Sequence, residues 1–128
     1  MRAANLWSFV FVIFIASAMS GELHPEMVKM AQACLKEYNL EENEVNKLQW
    51  DNIDFSSVKD EIKCATKCFF EKSKYMDSAG NFNAESAKKD FESDKKLVQI
   101  IDECKVMEYD NSCEKAFRIL ACVVQKKM

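Results

Sequence analysis

The spacing of apolar and polar residues along the chain predicts an all-helical protein. From Pro25 onwards, apolar side chains recur every three or four residues, as they do on one face of an α-helix. Proline suits the first position of a helix, where the backbone N–H has no helical partner. The first predicted helix carries the apolar residues Met27, Met30, Ala31, Cys34, Leu35 and Tyr38.

A second, shorter and more acidic helix is predicted from about Glu41 to Leu48, with Val45 and Leu48 on its inner side. The stretch from Trp50 to Phe55 (WDNIDF) has no helical spacing, and we interpret it as a connecting loop.

The third predicted helix covers about Ser57 to Tyr75, with Asp54, Ser56 or Ser57 as its N-cap. Asp, Ser, Thr and Asn are favoured there because their side-chain oxygens accept from free backbone N–H groups. One apolar stripe of this helix consists of Val58, Ile62, Ala65 and Phe69, and a neighbouring stripe contains Thr66 and Phe70.

A turn is predicted from Asp77 to Asn83, and Asn83 is expected to cap a fourth, short helix that ends near Phe91. Ser93 is expected to begin a fifth helix, whose apolar face carries Leu97, Ile100, Ile101 and Cys104.

Before the last helix, Asn111 and Glu114 resemble a capping box. The sixth predicted helix then carries Phe117, Leu120, Ala121 and Val124 at helical spacing. Composition agrees with a helical fold, because two glycines and one proline in 128 residues are too few for a turn-rich β scaffold.

The N-terminus has the features of a secretory signal peptide. After a basic start, Leu6 to Met19 form an apolar run, and Ala18 to Ser20 fit a small-residue cleavage site. The run falls short of the roughly 20 residues that span a bilayer, so we expect no stable membrane insertion. Residues 1–20 are therefore predicted to be the signal peptide and residues 21–128 a single secreted domain.

Secretion determines the expected role of the six cysteines. In an oxidising compartment they are expected to form three disulfides, and a metal site is disfavoured because His24 is the sole histidine. Cys64 and Cys68 lie one helical turn apart on the same face, too far for a bond, and are expected to take different partners. Cys113 and Cys122 differ by half a turn and cannot bond each other. Several pairings remain open.

The full cysteine pattern resembles that of a known family, the insect odorant-binding proteins, which comprise pheromone-binding and general odorant-binding members. The resemblance covers the whole predicted mature chain and rests on five spacings behind a signal peptide: Cys34-x29-Cys64-x3-Cys68-x35-Cys104-x8-Cys113-x8-Cys122.

The resemblance implies a specific architecture and activity. It implies the disulfides Cys34–Cys68, Cys64–Cys113 and Cys104–Cys122, which staple a compact six-helix domain around an apolar cavity. It also implies a carrier of small hydrophobic odorants or pheromones, such as fatty alcohols, esters or terpenoids, through an aqueous fluid such as sensillar lymph. The resemblance leaves open a homodimer and contact with an olfactory receptor.

Candidate ligand-binding residues come from two sources. Positions that often line the cavity in the resembled family match Thr66, Phe70, Tyr75, Phe82 and Phe117 in this sequence. Helical periodicity adds Met76, Leu97, Ile101, Leu120 and Val124. Each apolar residue has an alternative role in ordinary helix packing. The hydroxyls of Thr66 and Tyr75 are expected either to bond a ligand oxygen or to satisfy local backbone.

Other functional classes find little support. We expect no enzyme, cofactor or metal, because the chain lacks a second histidine, a free catalytic thiol and a glycine-rich phosphate loop. A formal charge of −3 disfavours nucleic acid as a partner. The remaining alternative is a secreted helical interaction or defence protein, stapled by disulfides, whose interior is fully packed.

Overall fold

The computed structural model describes residues 25–41, 43–44 and 47–127. Within these ranges the protein is all-helical, as predicted, with an isolated bridge between Met76 and Phe82 in place of any strand. The α-helices in this part of the chain are α1 (Pro25–Glu37), α2 (Asp60–Lys72), α3 (Ala84–Asp90), α4 (Lys95–Cys104) and α5 (Ser112–Lys127).

Five α-helices are therefore described where six are predicted. Part of the predicted second helix, including Val45, lies outside the described residues. The whole of the predicted signal peptide also lies outside them. The predicted connecting loop is more ordered than expected, since it contains two 3-10 helices, Trp50–Asn52 and Phe55–Ser57.

The predicted N-cap of α2 is wrong. Asp54 instead caps the second 3-10 helix, where its carboxylate accepts from the backbone N–H of Ser56 at 3.2 Å. Val58 and Lys59 are then extended, and Lys59 occupies the N-cap position without a side-chain cap. Because these residues intervene, α2 begins three residues later than predicted, at Asp60.

The cap of α3 is confirmed, because Asn83 accepts from the N–H of Ser86 at 3.1 Å. Helix α4 starts two residues later than predicted, at Lys95. Its N-cap is Asp94, whose carboxylate accepts from the N–H of Leu97 at 3.1 Å.

The cap of α5 is confirmed in part. Asn111 accepts from the N–H groups of Cys113 and Glu114, at 2.8 and 3.0 Å. The returning half of the predicted capping box is wrong, because the Glu114 carboxylate accepts from Lys63 and Arg118 instead.

Among the described elements, helices α2 and α5 form the largest helix–helix contact. Helix α1 also packs against α2, and α4 packs against α5. Three disulfides fix this arrangement. Cys34–Cys68 joins α1 to α2, Cys64–Cys113 joins α2 to the start of α5, and Cys104–Cys122 joins α4 to α5. These are the pairs that the family resemblance implies.

The turn before α3 docks against the start of α5. Gly80 has φ +90°, a conformation that disfavours a side chain, and a Cβ there would lie 2.7 Å from Cβ of Ser112. Both backbone conformation and space therefore require glycine at this position.

An apolar cavity between α1, α2 and α5

A small apolar cavity lies between three helices and the segment that precedes α2. Its volume is about 40 Å³, which is room for only a few water molecules. No charged side chain lines it. The lining residues are Ala31 and Leu35 of α1, Leu48 and Trp50 before α2, Ile62, Ala65, Thr66 and Phe69 of α2, and Phe117 and Leu120 of α5.

Helix α2 contributes four residues to the cavity lining, and three of them lie in one row along the helix. Ile62, Ala65 and Phe69 follow at intervals of three and four residues, which places them one above the other on a helix. All three side chains are buried. Three of the four residues of the predicted apolar stripe thus line the cavity. The fourth, Val58, is buried, but it precedes α2 and is not among the lining residues.

Thr66 supplies a hydroxyl to this apolar surface. Its Oγ1 donates to the backbone carbonyl of Ile62 at 3.1 Å, one turn earlier in the same helix. The hydroxyl proton is therefore in use, while the oxygen keeps lone pairs that can accept a hydrogen bond. This arrangement suits a ligand that donates, such as an alcohol, better than one that only accepts.

The opposite wall is aromatic. Phe117 of α5 is completely buried, and its ring centroid lies 5.6 Å from that of Trp50 and 5.9 Å from that of Phe55. We call Trp50, Phe55 and Phe117 the first aromatic group. Phe55 meets Phe117 edge-on, a favourable geometry for an aromatic pair.

Residues 48–58, which we call the covering segment, contribute the two most exposed lining residues of the cavity. Leu48 and Trp50 are half-buried, whereas every other lining residue is buried. Two side chains of α5 hold the segment. Gln125 Nε2 donates to the carbonyl of Trp50 at 2.8 Å, and the Arg118 guanidinium lies 3.8 Å from the centroid of the Phe55 ring.

Charged groups surround the cavity wall without entering it. The Glu114 carboxylate accepts from Lys63 and Arg118, each at 2.6 Å. Burial raises the pKa of Glu114, but the two hydrogen bonds and the two positive charges outweigh burial and hold that pKa below its ordinary value. Glu114 therefore positions Arg118, which in turn contacts the covering segment.

Comparison with known proteins identifies the family. The profile of the PBP/GOBP family matches residues 16–126. The chain belongs to this family. No curated protein and no solved structure matches it. The PBP/GOBP family is the pheromone-binding and general odorant-binding family that the cysteine spacing resembles.

Of the ten candidate ligand-binding residues, the structure brings Thr66, Phe117 and Leu120 together around the cavity. Five others are buried in the core outside the lining: Phe70, Tyr75, Leu97, Ile101 and Val124. The remaining two, Met76 and Phe82, border an open surface depression beside charged residues. Ligand contact by any of the ten stays a prediction.

Tyr75 shows why a candidate of the PBP/GOBP pattern lies apart from the cavity here. Its hydroxyl donates to the carboxylate of Asp90, the last residue of α3, at 2.7 Å. Burial, together with this hydrogen bond, raises the pKa of Tyr75. Its ring packs edge-on against Phe70 and Phe91.

Sequence reasoning missed seven lining residues. Most belong to helix faces that are predicted but assigned to packing alone, and Trp50 lies in the predicted loop. A large aromatic residue in a loop is the signal that could have found it. The missed residues are Ala31, Leu35, Leu48, Trp50, Ile62, Ala65 and Phe69.

Two further properties of the described residues bear on other functions. In the described part of the chain, none of the helices combines the length and apolar character needed to cross a bilayer. Within the same residues, histidine, cysteine, aspartate and glutamate side chains form no group of three that could hold a metal ion.

Proposed function

We propose that this protein is a secreted carrier, rather than an enzyme, which binds small hydrophobic odorants or pheromones and transports them through an aqueous lymph. The observation that carries the proposal is a cavity lined almost entirely by apolar side chains, with no charged residue in its lining, in a member of the PBP/GOBP family. A signal peptide predicted at residues 1–20 supports secretion.

The driving force for such binding is the removal of apolar surface from water. Each Å² of apolar surface buried contributes about 25 cal/mol, so burying about 300–350 Å² nominally supplies the −8 kcal/mol of micromolar affinity. Costs of association reduce this figure. An odorant of that area is larger than the cavity of about 40 Å³, and binding must therefore enlarge it.

The covering segment is the wall that we expect to move. It contributes the two half-buried lining residues, Trp50, which begins its first 3-10 helix, and Leu48, which precedes that helix. The other walls are α-helices, and disulfides join α1 to α2 and α2 to α5. Local opening is easiest where fewest buried contacts are broken, which favours the covering segment.

Intrinsic fluorescence gives a direct test. The sequence has two tryptophans, and Trp7 lies in the predicted signal peptide, so protein expressed from Gly21 has Trp50 as its sole tryptophan. Long-chain alcohols, esters and terpenoids should change Trp50 emission and displace a fluorescent apolar probe with micromolar affinity. Trp50→Phe should abolish the emission change and retain probe displacement.

The small size of the cavity favours a second candidate, a secreted interaction or defence protein with a packed interior. If no ligand of the panel displaces the probe and Trp50 emission is unchanged, the carrier proposal is wrong and this alternative gains support.

A further inference from the structure

A second group of aromatic rings lies next to Phe69, one of the residues that line the cavity. Phe70 has its ring centroid 6.2 Å from Tyr75 and 5.8 Å from Phe82, and Tyr75 lies 6.3 Å from Phe91. We call these four residues the second aromatic group. None of them lines the cavity.

Phe69 adjoins both the cavity and this group. It lines the cavity, and its ring centroid lies 6.3 Å from that of Phe70. Consecutive residues of an α-helix point about 100° apart, so Phe69 and Phe70 serve different surfaces of α2. Phe69 shares the cavity face with Ile62 and Ala65, whereas Phe70 packs against Tyr75 and Phe82.

Helix α2 cannot easily shift to fill space that opens beside Phe69. Cys68, the preceding residue, is bonded to Cys34 of α1, and Cys64, one turn earlier, is bonded to Cys113 of α5. How far a site collapses after a large side chain is removed depends on how freely its surroundings move. With both neighbouring turns cross-linked, space left by the Phe69 ring should persist.

We propose that Phe69 is the residue that limits ligand length. Its ring closes the cavity on the side of the second aromatic group, so a linear ligand stops at this ring. Removing the ring would connect the cavity to the surface of Phe70 and extend the site along α2. The inference rests on the proposed carrier function and adds the selectivity of that site.

A series of primary alcohols from hexanol to tetradecanol tests the proposal by probe displacement. In the parent, affinity should rise about fourfold per methylene while added carbons are buried, then level off at the length at which the chain meets Phe69. In Phe69→Ala the rise should continue to longer alcohols. The break, by which we mean the alcohol length at which affinity stops rising, should therefore move by several carbons.

Phe91→Ala is the matched control. It removes the same ring from the far side of the second aromatic group, where Phe91 contacts Tyr75 and is half-buried. Its break should coincide with that of the parent. Phe69→Leu replaces the ring by a smaller branched side chain, and its break should lie between those of the parent and Phe69→Ala. It serves in place of Phe69→Ala if that variant does not fold.

The outcomes are distinguishable. Suppose that the parent binds alcohols, but that affinity levels off at the same alcohol length in Phe69→Ala or Phe69→Leu as in the parent. The length limit then lies elsewhere and the inference is overturned, while the carrier function stands. A break that moves equally in Phe91→Ala indicates general loosening and also overturns it. If the parent binds none of the alcohols, the proposed function itself fails.

Discussion

Gln125 and Trp50 are joined by a hydrogen bond of 2.8 Å from the side-chain amide to the backbone carbonyl. The bond connects the last turns of α5 to the covering segment at the residue that lines the cavity. An opening of this segment must break it, whatever else moves. Ligand exchange should therefore depend on a residue that does not itself line the cavity.

Gln125→Ala should accelerate ligand exchange. A hydrogen bond contributes about 0.5–1.5 kcal/mol net, and the lower half of that range, which suits an exposed bond, corresponds to about two- to fivefold faster probe dissociation. Stopped-flow measurement of dissociation checks this. Gln99→Ala is the control, because Gln99 is an exposed amide of α4 bonded to Glu103. Equal rates in both variants and the parent would show that the covering segment is not the gate.

Thr66→Val should reduce binding of alcohols selectively. Valine keeps the shape of threonine, and the Thr66 proton already goes to Ile62, so the change removes chiefly an acceptor for a ligand hydroxyl. We expect about fivefold weaker binding of a long-chain alcohol and little change for its methyl ether. Thr66→Ser should retain the preference. Equal losses for alcohol and ether would argue against a hydrogen bond to this residue.

Phe117→Ala and Phe82→Ala should behave differently. Phe117 is completely buried and lines the cavity, so its loss should lower the free energy of unfolding by about 3–5 kcal/mol and weaken binding about 5–30-fold. Phe82 is half-buried and outside the lining, so binding should stay within about twofold of the parent. Chemical unfolding and probe displacement measure both quantities. Similar losses of affinity would mean that the ligand also reaches Phe82.

The Glu114 carboxylate should make the free energy of unfolding depend on pH. Its pKa in the folded protein lies below the ordinary value of 4.5, so it stabilises the fold fully above about pH 4.5 and loses this effect as pH falls through the lowered pKa. Glu114→Gln should therefore cost about 1–3 kcal/mol at pH 7, where Lys63 loses its charged partner. Urea unfolding should show the gap between parent and variant narrowing by pH 3.

Glu108→Gln provides the comparison for this acid dependence. Glu108 is largely exposed and lies 3.6 Å from Lys115, so its replacement should change stability by less than about 1 kcal/mol at either pH. A gap between parent and Glu114→Gln that is constant from pH 7 to pH 3 would show that the carboxylate charge contributes nothing.

The helices are predictable from the sequence because apolar spacing and polar caps act over a few residues. Asn83 caps α3 as expected, since its amide has the N–H of Ser86 within reach. The start of α2 is not predictable in this way. Several cap residues occur in a row, and the choice is decided by the 3-10 turn in which Asp54 is used.

The candidate site is predictable only where helix faces alone determine it. Thr66, Phe117 and Leu120 lie on predicted faces and meet at the cavity. Trp50 meets Phe117 from a distant part of the chain, and no local pattern encodes that contact. Phe69 and Phe70 differ by a rotation of about 100° around the helix, which is about the width of a typical apolar stripe, so apolar spacing alone does not tell which neighbour each ring faces.

The three cross-links also determine what a protease can do to this protein. A cut in the covering segment separates Cys34 from Cys68 along the chain, but their disulfide keeps the two pieces together. A cut between α2 and α3 leaves the pieces joined through Cys64–Cys113, and one between α4 and α5 leaves them joined through two bridges. Exposed loops are the usual sites of nicking. A single nick in any of these connections therefore releases no fragment while the disulfides stay oxidised.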